Sequence, residues 1–356
     1  MTERASLLSA EIGAYCDAAL ILSEENRFYF SGFAASDGFL LITPEQQLVF
    51  TDSRYIEAAK KTIGAEKVHD SFNIYAELNE IFHRKGIKSV ALEADRVTLS
   101  RLDTLRQRLP GVRFITDSLL CGSINGLRMI KSPAELEKIK AAQRIAESAF
   151  RRLLGFIKPG VSEKEAALEL DYYMLSGGAD ALSFETIAAS GKNSSMPHAV
   201  PSDRRFENGD FITFDFGAVK DGYHSDMTRT VALGKVSEKQ KKIYSVVLSA
   251  QKNALSALRA GLELSQADSA ARDIIKSAGY GDFFGHSTGH GVGIEIHEQP
   301  NLSPCSAGLL KEGSVVTVEP GIYLPGEFGV RIEDMAFITE NGCENLTDFE
   351  KELIIL

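Results

Sequence analysis

The sequence predicts an α+β protein built from two domains, and three observations carry that prediction. A chain of 356 residues is long for a single domain. Residues 1–124 alternate short apolar runs with helical patterns, which reads as an α/β domain of its own. Residues 125–356 set capped helices among strands joined by tight turns, which reads as a larger α+β domain.

In the first part, residues 18–22 form a short apolar run. Residues 39–42 and 48–51 bracket Pro44-Glu45-Gln46-Gln47, a hairpin signal. Residues 55–62 and 74–85 read as helices, 89–92 as a buried strand, 99–109 as a helix closed by Pro110-Gly111, and 112–116 as a strand. No phosphate-loop glycine pattern occurs here, and His69 and His83 read as surface or helix-cap residues. This half is assigned no chemistry. Residues 121–131 read as a linker.

The second part opens with Ser132-Pro133-Ala134-Glu135, a capping box with proline at the first helical position. Leu136, Ile139, Ala146, Ala149, Leu153 and Ile157 follow at helical spacing, and Pro159-Gly160 stops the helix. Ser162 and Glu165 box a second helix that runs to Gly177-Gly178. Ser237 and Gln240 open a third, amphipathic through Ile243, Val247, Ala250 and Leu258 and ending at Gly261; Ser265 with Asp268 opens a fourth, ending near Gly279. Strands are expected at 211–219, 223–233, 315–319 and 329–339.

Composition narrows the class. Apolar content of 44% and charged content of 25% suit a soluble globular protein with a sizeable core. A net charge of -10 without a basic run argues against nucleic acid or an anionic membrane surface as the main partner. Cys16, Cys121, Cys305 and Cys343 are scattered with no CxxC pair, the pattern of reduced thiols. The opening residues lead to no secretory apolar region, and no apolar run approaches a membrane span. A cytoplasmic soluble protein is expected.

The chemistry centres on Asp215-Phe-Gly-Ala-Val-Lys-Asp-Gly-Tyr-His-Ser-Asp226. A loop at Lys220-Asp221 sets Asp215 opposite Asp226, whereas a loop at Asp221-Gly222 sets Asp226 opposite Gly217. Either register puts both carboxylates on one face of an antiparallel hairpin. Like charges so placed repel, so a cation is expected between them unless both face solvent beside the turn. Ligand-type residues recur in three further places. His286-Ser-Thr-Gly-His290-Gly-Val-Gly-Ile-Glu-Ile-His297 concentrates three of the chain's 7 histidines among glycines that allow close backbone approach. Glu319 ends an apolar strand at Val315-Val-Thr-Val-Glu319-Pro320-Gly321, where a buried carboxylate needs a partner. Arg331 and Glu333 share one strand face and could pair with each other. Two Asp, two Glu and one His drawn from these places suit a hard or borderline divalent ion such as manganese, cobalt or zinc. Four carboxylates can neutralise two such ions ~3.5–4 Å apart with a shared water or hydroxide.

These motifs resemble the five-ligand signature of the pita-bread dinuclear metallopeptidases. That family holds Xaa-Pro aminopeptidases, Xaa-Pro dipeptidases (prolidases), methionine aminopeptidases and the related creatinases. The likeness covers residues 125–356 in order and spacing. It implies an N-terminal α/β creatinase/prolidase-like domain followed by a pita-bread domain, a curved antiparallel sheet flanked by helices. It also implies that Asp215, Asp226, His290, Glu319 and Glu333 hold two divalent metal ions, manganese first with cobalt or zinc as alternatives. Asp226 and Glu333 would lie between both ions, and Glu319 would shuttle the proton. The segment from Phe184 to His198 is similar to the family's approach to a substrate-binding histidine. His286 and His297 match pocket positions that steady the tetrahedral intermediate, Arg331 matches a position that orients ligands, and His224 has no counterpart beyond a turn-adjacent structural role.

The extra domain of about 120 residues and the complete ligand set point within the family to hydrolysis at Xaa-Pro bonds. The expected substrate is a short peptide with a free N-terminus and proline second. An aminopeptidase is favoured slightly over a strict dipeptidase, because no basic residue is clearly committed to a substrate carboxylate. A non-peptide hydrolase or lyase and a non-catalytic peptide-binding relative remain as readings from other classes. The resemblance further implies a homodimer.

Overall fold

The chain folds as two units, Met1–Arg128 and Met129–Leu356, in a computed structural model that describes residues 1–356 apart from the side chain of Ser71. The first unit runs α1 (Glu3–Ile12), β1 (Ala18–Ile21), α2 (Glu24–Ser31), β2 (Phe39–Ile42), β3 (Gln47–Thr51), α3 (Ile56–Ile63), β4 (Val68–Asp70), α4 (Ile74–Lys85), β5 (Ser89–Leu92), α5 (Leu99–Arg108), β6 (Arg113–Ile115) and α6 (Leu119–Met129). Its sheet has the order β4-β3-β2-β1-β5-β6. The hairpin signal joins β2 to β3 antiparallel, while β5 lies parallel to β1 and β6. Leu20, Leu41, Phe50, Val90 and Leu92 of the strands pack on Leu78 and Phe82 of α4 and Leu105 of α5. His69 pairs with Glu77 of α4, and His83 is exposed in the last turn of that helix.

Two expectations for this region are corrected. The stretch read as a linker, 121–131, is largely helix α6. Leu120, Ile124 and Arg128 recur every fourth residue on its buried side, and Arg128 Nη1 donates to Asn26 Oδ1 at 2.8 Å. That burial outweighs Gly122 and Gly126, each about 1 kcal/mol worse than alanine in a helix. Helix α1, capped by Thr2 through the Ala5 amide, was not signalled by any strong apolar period.

The second unit continues with α7 (Pro133–Leu153), α8 (Glu163–Ser176), β7 (Ala181–Leu182), β8 (Ile187–Ser190), β9 (Phe211–Phe216), β10 (Ala218–Lys220), β11 (Tyr223–His224), β12 (Met227–Ala232), α9 (Glu238–Ala257), α10 (Leu264–Ser277), β13 (Gly289–Gly291), β14 (Glu298–Leu302), β15 (Val315–Val318), β16 (Gly321–Leu324), β17 (Phe328–Arg331), β18 (Asp334–Thr339) and β19 (Gly342–Asn345). The three predicted capping boxes form, at Ser132 with Glu135, Ser162 with Glu165 and Ser237 with Gln240. The fourth helix differs. Glu263 occupies its N-cap, and Asp268 is buried among other partners described below.

The strands of this unit pair antiparallel throughout the sheets β12-β9-β8, β11-β10-β7, β14-β13-β15-β18-β19 and β16-β17. Helices α7 and α8 cover β8, β9 and β12 through Phe150, Leu153 and Leu170 against Phe214, Phe216 and Val231. Helices α9 and α10 cover the sheets β14-β13-β15-β18-β19 and β16-β17 through Val247, Ala254 and Ile275 against Val316, Ile322 and Ile338. The organising hairpin turns at Asp221-Gly222, with φ of 49° and 77°, the left-handed pair of a two-residue hairpin turn. Lys220 pairs with Tyr223, and Thr228 with Asp215. This is the second of the two registers considered. The strand expected over 329–339 is instead two strands in different sheets, broken at Ile332-Glu333. Apolar and polar residues alternate without interruption from Val330 to Glu333, so the sequence reads as one continuous strand across the break. No helix among the described residues is long and apolar enough to cross a membrane.

Candidate metal centre

Each of the four candidate carboxylates sits at or near a point where a strand ends or breaks. Asp215 is near the end of β9, Asp226 immediately precedes β12, Glu319 follows β15, and Glu333 occupies the crossing from β17 to β18. His290 is the middle residue of β13, flanked by Gly289 and Gly291. A Cβ on Gly289 would lie 1.9 Å from the Thr317 carbonyl oxygen, and one on Gly291 2.3 Å from that of Gln299. Only glycine lets β13 run this close to its neighbours and bring the imidazole inward.

The structure brings these residues together. Ligand atoms of Asp226, His290 and Glu333 lie within 4.8 Å of one another. His290 Nε2 is 3.6 Å from Asp226 Oδ2 and 3.5 Å from Glu319 Oε1. These approaches are not ion pairs. Burial lowers the His290 imidazole to about 4, so the ring is neutral at ordinary pH. Its Nδ1 lies 3.1 Å from the Gly291 carbonyl, which can only accept, so the proton is on Nδ1. The Nε2 lone pair therefore faces carboxylate oxygens. Burial pushes Asp226 and Glu333 well above the usual carboxylate range, and the neighbouring carboxylates add to it. Glu319 is pushed up to about 8 by burial, opposed by Arg331 and reinforced by Asp215. Asp215 Oδ1 is buried without a hydrogen-bond partner among the described residues. Lone pairs that converge with no donor between them fit a cation, and an oxygen-rich set with one imidazole fits a hard or borderline divalent one.

A second layer of side chains holds the ligands. Arg331 donates to Asp215 Oδ2 at 2.6 Å through Nη2, to Thr228 Oγ1 at 3.0 Å through Nε, and to the Tyr323 hydroxyl at 2.8 Å through Nη1. Thr228 in turn donates to Glu333 Oε2 at 2.7 Å. Thr317 accepts from the His290 amide at 3.0 Å and donates to Glu319 Oε1 at 3.3 Å. Arg331 and Glu333 are thus joined through Thr228 rather than as neighbours on one strand.

The four remaining histidines of this unit are placed differently. His297 is exposed, with its ring 4.4 Å from that of His290. The adjoining Glu298 forms a buried ion pair with Lys131 at 2.9 Å, their side chains 5% and 1% exposed. His198 is exposed next to Pro197, whose carbonyl accepts from Arg331 Nη1 at 3.4 Å. His286 is turned inward. Its Nδ1 donates to the Ser287 carbonyl at 2.8 Å, so Nε2 accepts from the Tyr323 hydroxyl at 2.9 Å. The hydrogen-bond donor expected of His286 toward substrate is therefore taken up internally. The backbone amide of His224 donates to the Gly293 carbonyl at 2.8 Å, beside the hairpin turn.

Thr228, Thr317, Tyr323 and Asp268 are participants that the sequence reading missed. Asp268 accepts from Arg272 Nε at 2.6 Å and from the Thr288 amide at 3.1 Å, fixing the chain just before His290. The one legible signal was Tyr323, two residues past Gly321 on the strand after Glu319. Hydroxyls on apolar strands otherwise look like ordinary β-formers.

Helix-flanked antiparallel sheets bring Asp226, His290 and Glu333 within reach of one ion, with Glu319 beside His290, the layout of a metal-binding protein. The chain belongs to metallopeptidase family M24, which matches residues 137–340, and residues 6–130 match the creatinase/prolidase N-terminal domain. The architecture is thus a creatinase-like domain followed by a pita-bread domain, as the motifs implied. The chain is 40% identical to the Xaa-Pro dipeptidase of Pyrococcus horikoshii over 95% of its own length and 94% of that protein's. It superposes on the Xaa-Pro dipeptidase from Bacillus anthracis with a TM-score of 0.94 at 42% identity, covering 99% of each chain. It superposes on the X-Pro aminopeptidase from Thermotoga maritima with a TM-score of 0.90 at 39% identity, covering 96% of this chain and 98% of that one.

Proposed function

We propose that this enzyme hydrolyses the peptide bond between an N-terminal residue and a following proline in short peptides. The observation that carries the proposal is the inward-facing cluster of Asp215, Asp226, His290, Glu319 and Glu333 in a chain similar along its whole length to Xaa-Pro peptidases. These five residues would hold two divalent cations, manganese first, with cobalt or zinc as alternatives. When bound, the ions polarise the scissile carbonyl and acidify the attacking water.

The chain's own residues do the rest. Glu319 accepts the water's proton on its carboxylate and delivers it to the proline nitrogen as the bond breaks. His297, beside His290, donates to the oxyanion, and His198 binds the substrate. Arg331 holds Asp215 and, through Thr228, Glu333 in place. Proline lacks an amide N–H and has a fixed φ, which defeats peptidases that grip an extended backbone through that N–H. Catalysis by metal and histidine does not need it. The acidic cluster also favours the substrate's α-amino group.

Near the site, Arg331 is engaged by Asp215 and Arg272 by Asp268, which supports an aminopeptidase open to longer peptides. The names of the dipeptidase relatives support the second reading, a strict dipeptidase. Rates on Ala-Pro, Ala-Pro-Ala and Ala-Ala with manganese test both. Cleavage of the two proline peptides alone is expected; equal rates on Ala-Ala would refute proline specificity, and cleavage of Ala-Pro alone would select the dipeptidase. A chelator should abolish activity, and manganese or cobalt should restore it. Four free cysteines support a reducing, cytoplasmic setting. A homodimer is the proposed state, to be read from the mass in solution.

A further inference from the structure

Glu163 stands at the first position of α8 and is 0% exposed. A carboxylate there would ordinarily serve the helix start, but Ser162 already caps α8 in a box with Glu165. Glu163 instead faces segment 190–202. Its Oε1 accepts from the Ser190 amide and hydroxyl, both at 2.7 Å, and from Asn193 Nδ2 at 3.1 Å. Its Oε2 accepts from the Ser202 amide at 3.0 Å, the Ser202 hydroxyl at 2.6 Å and Asn193 Nδ2 at 3.1 Å. One buried carboxylate thereby grips both ends of the segment. Between the two grips the segment meets β17: Ser194 Oγ accepts from the Gly329 amide at 2.9 Å, and the Pro197 carbonyl accepts from Arg331. His198 follows Pro197 directly, and that same Arg331 holds Asp215. The segment is therefore fixed to the metal centre at one point and to Glu163 at both ends, with the His198 side chain exposed between them.

We propose that Glu163 is a positioning residue for substrate binding, holding segment 190–202 so that His198 meets the peptide in a fixed place. The proposal rests on the reading of His198 as a substrate-binding residue. A carboxylate suits the task because every hydrogen-bonding group that faces it donates. Glu163→Gln would turn an amide NH₂ toward those donors and release one end of the segment, while the Ser162 cap of α8 stays.

The test is a double-mutant cycle on the metal-loaded, full-length enzyme with an Xaa-Pro peptide, reading KM and kcat separately beside metal content and Tm. Glu163→Gln is expected to lower kcat/KM ~10–100-fold, the scale of a misplaced binding group, mainly through KM and with metal content unchanged. His198→Ala is expected to do the same, and the double variant to be no worse than His198→Ala alone. Losses that multiply in the double variant would overturn the proposal. So would a normal Glu163→Gln enzyme beside an impaired His198→Ala, which leaves the reading of His198 standing. A silent His198→Ala would instead overturn that reading and this route with it. Should Glu163→Gln fail to fold, Ser202→Ala, which removes one donor and keeps the buried charge, takes its place in the same cycle, with a smaller rise in KM expected.

Discussion

Asp226 and Glu333 face each other's charge in a space from which burial has removed the screening water. Either side chain alone could be neutralised by a proton. With Asp215 and Glu319 beside them, a divalent cation would offset several of these charges at once. Asp226→Ala and Glu333→Ala are therefore expected to lose bound metal and activity together, read as metal per chain and turnover on the same preparation. An active variant with normal metal would show that the site lies elsewhere. His297 differs, because its ring packs against His290 from the exposed side. His297→Ala should keep its metal and lose ~10²–10³-fold in kcat, the scale for one oxyanion donor. A merely structural histidine would lower Tm and leave kcat alone.

At the scale of elements, the site depends on segments that lie largely outside the α-helices and strands. Three such segments each lie against a buried carboxylate: Asp268 holds the chain before His290, Glu298 the stretch leading to His297, and Glu163 the segment bearing His198. The Glu298 anchor is an ion pair with Lys131, whose backbone amide is also bound to the Gly313 carbonyl at 2.8 Å. Lys131→Met removes the cation from the buried Glu298 carboxylate, which keeps the Glu295 amide at 3.1 Å, and should lower stability. The expected readout is a lower urea midpoint with an unchanged slope. Adding Glu298→Gln should recover part of the loss; no recovery would mean that packing, and not charge, sets the stability. The sequence showed the helices whose start is written locally, in three capping boxes, and the hairpin whose turn is written in Asp221-Gly222. It hid α6, where long-range burial overrides two glycines, and the break before Glu333, which lies within an unbroken apolar–polar alternation from Val330 to Glu333. The candidate ligands drew attention because a carboxylate ending an apolar strand needs a partner there. Thr228 and Glu163 did not, because their partners lie far away in sequence and nothing local distinguishes them.

For the whole molecule, proton, metal and folding equilibria are linked through the same carboxylates. In the metal-free fold, burial raises Asp226, Glu319 and Glu333 above their unfolded values. The folded state therefore holds protons that the unfolded chain has released. A group raised in this way contributes stability that is fully present below its unfolded pKa and is lost as pH rises through its folded pKa. For Glu319 that window runs from 4.5 to about 8. Metal-free protein should accordingly melt at progressively lower temperature as pH rises across that range. A bound dication replaces the protons and stabilises the fold by mass action, about 2.7 kcal/mol at a hundredfold excess over Kd. Protons compete with it, so its effect grows with pH. Thermal melts of chelated and manganese-loaded protein should hence diverge as pH increases, with the loaded form ahead. In Asp226→Ala, which removes both a ligand and a buried charge, the metal-free curve should flatten and the gap between the two forms should close. Parallel curves for the chelated and loaded wild-type protein would mean that these carboxylates do not hold the ion.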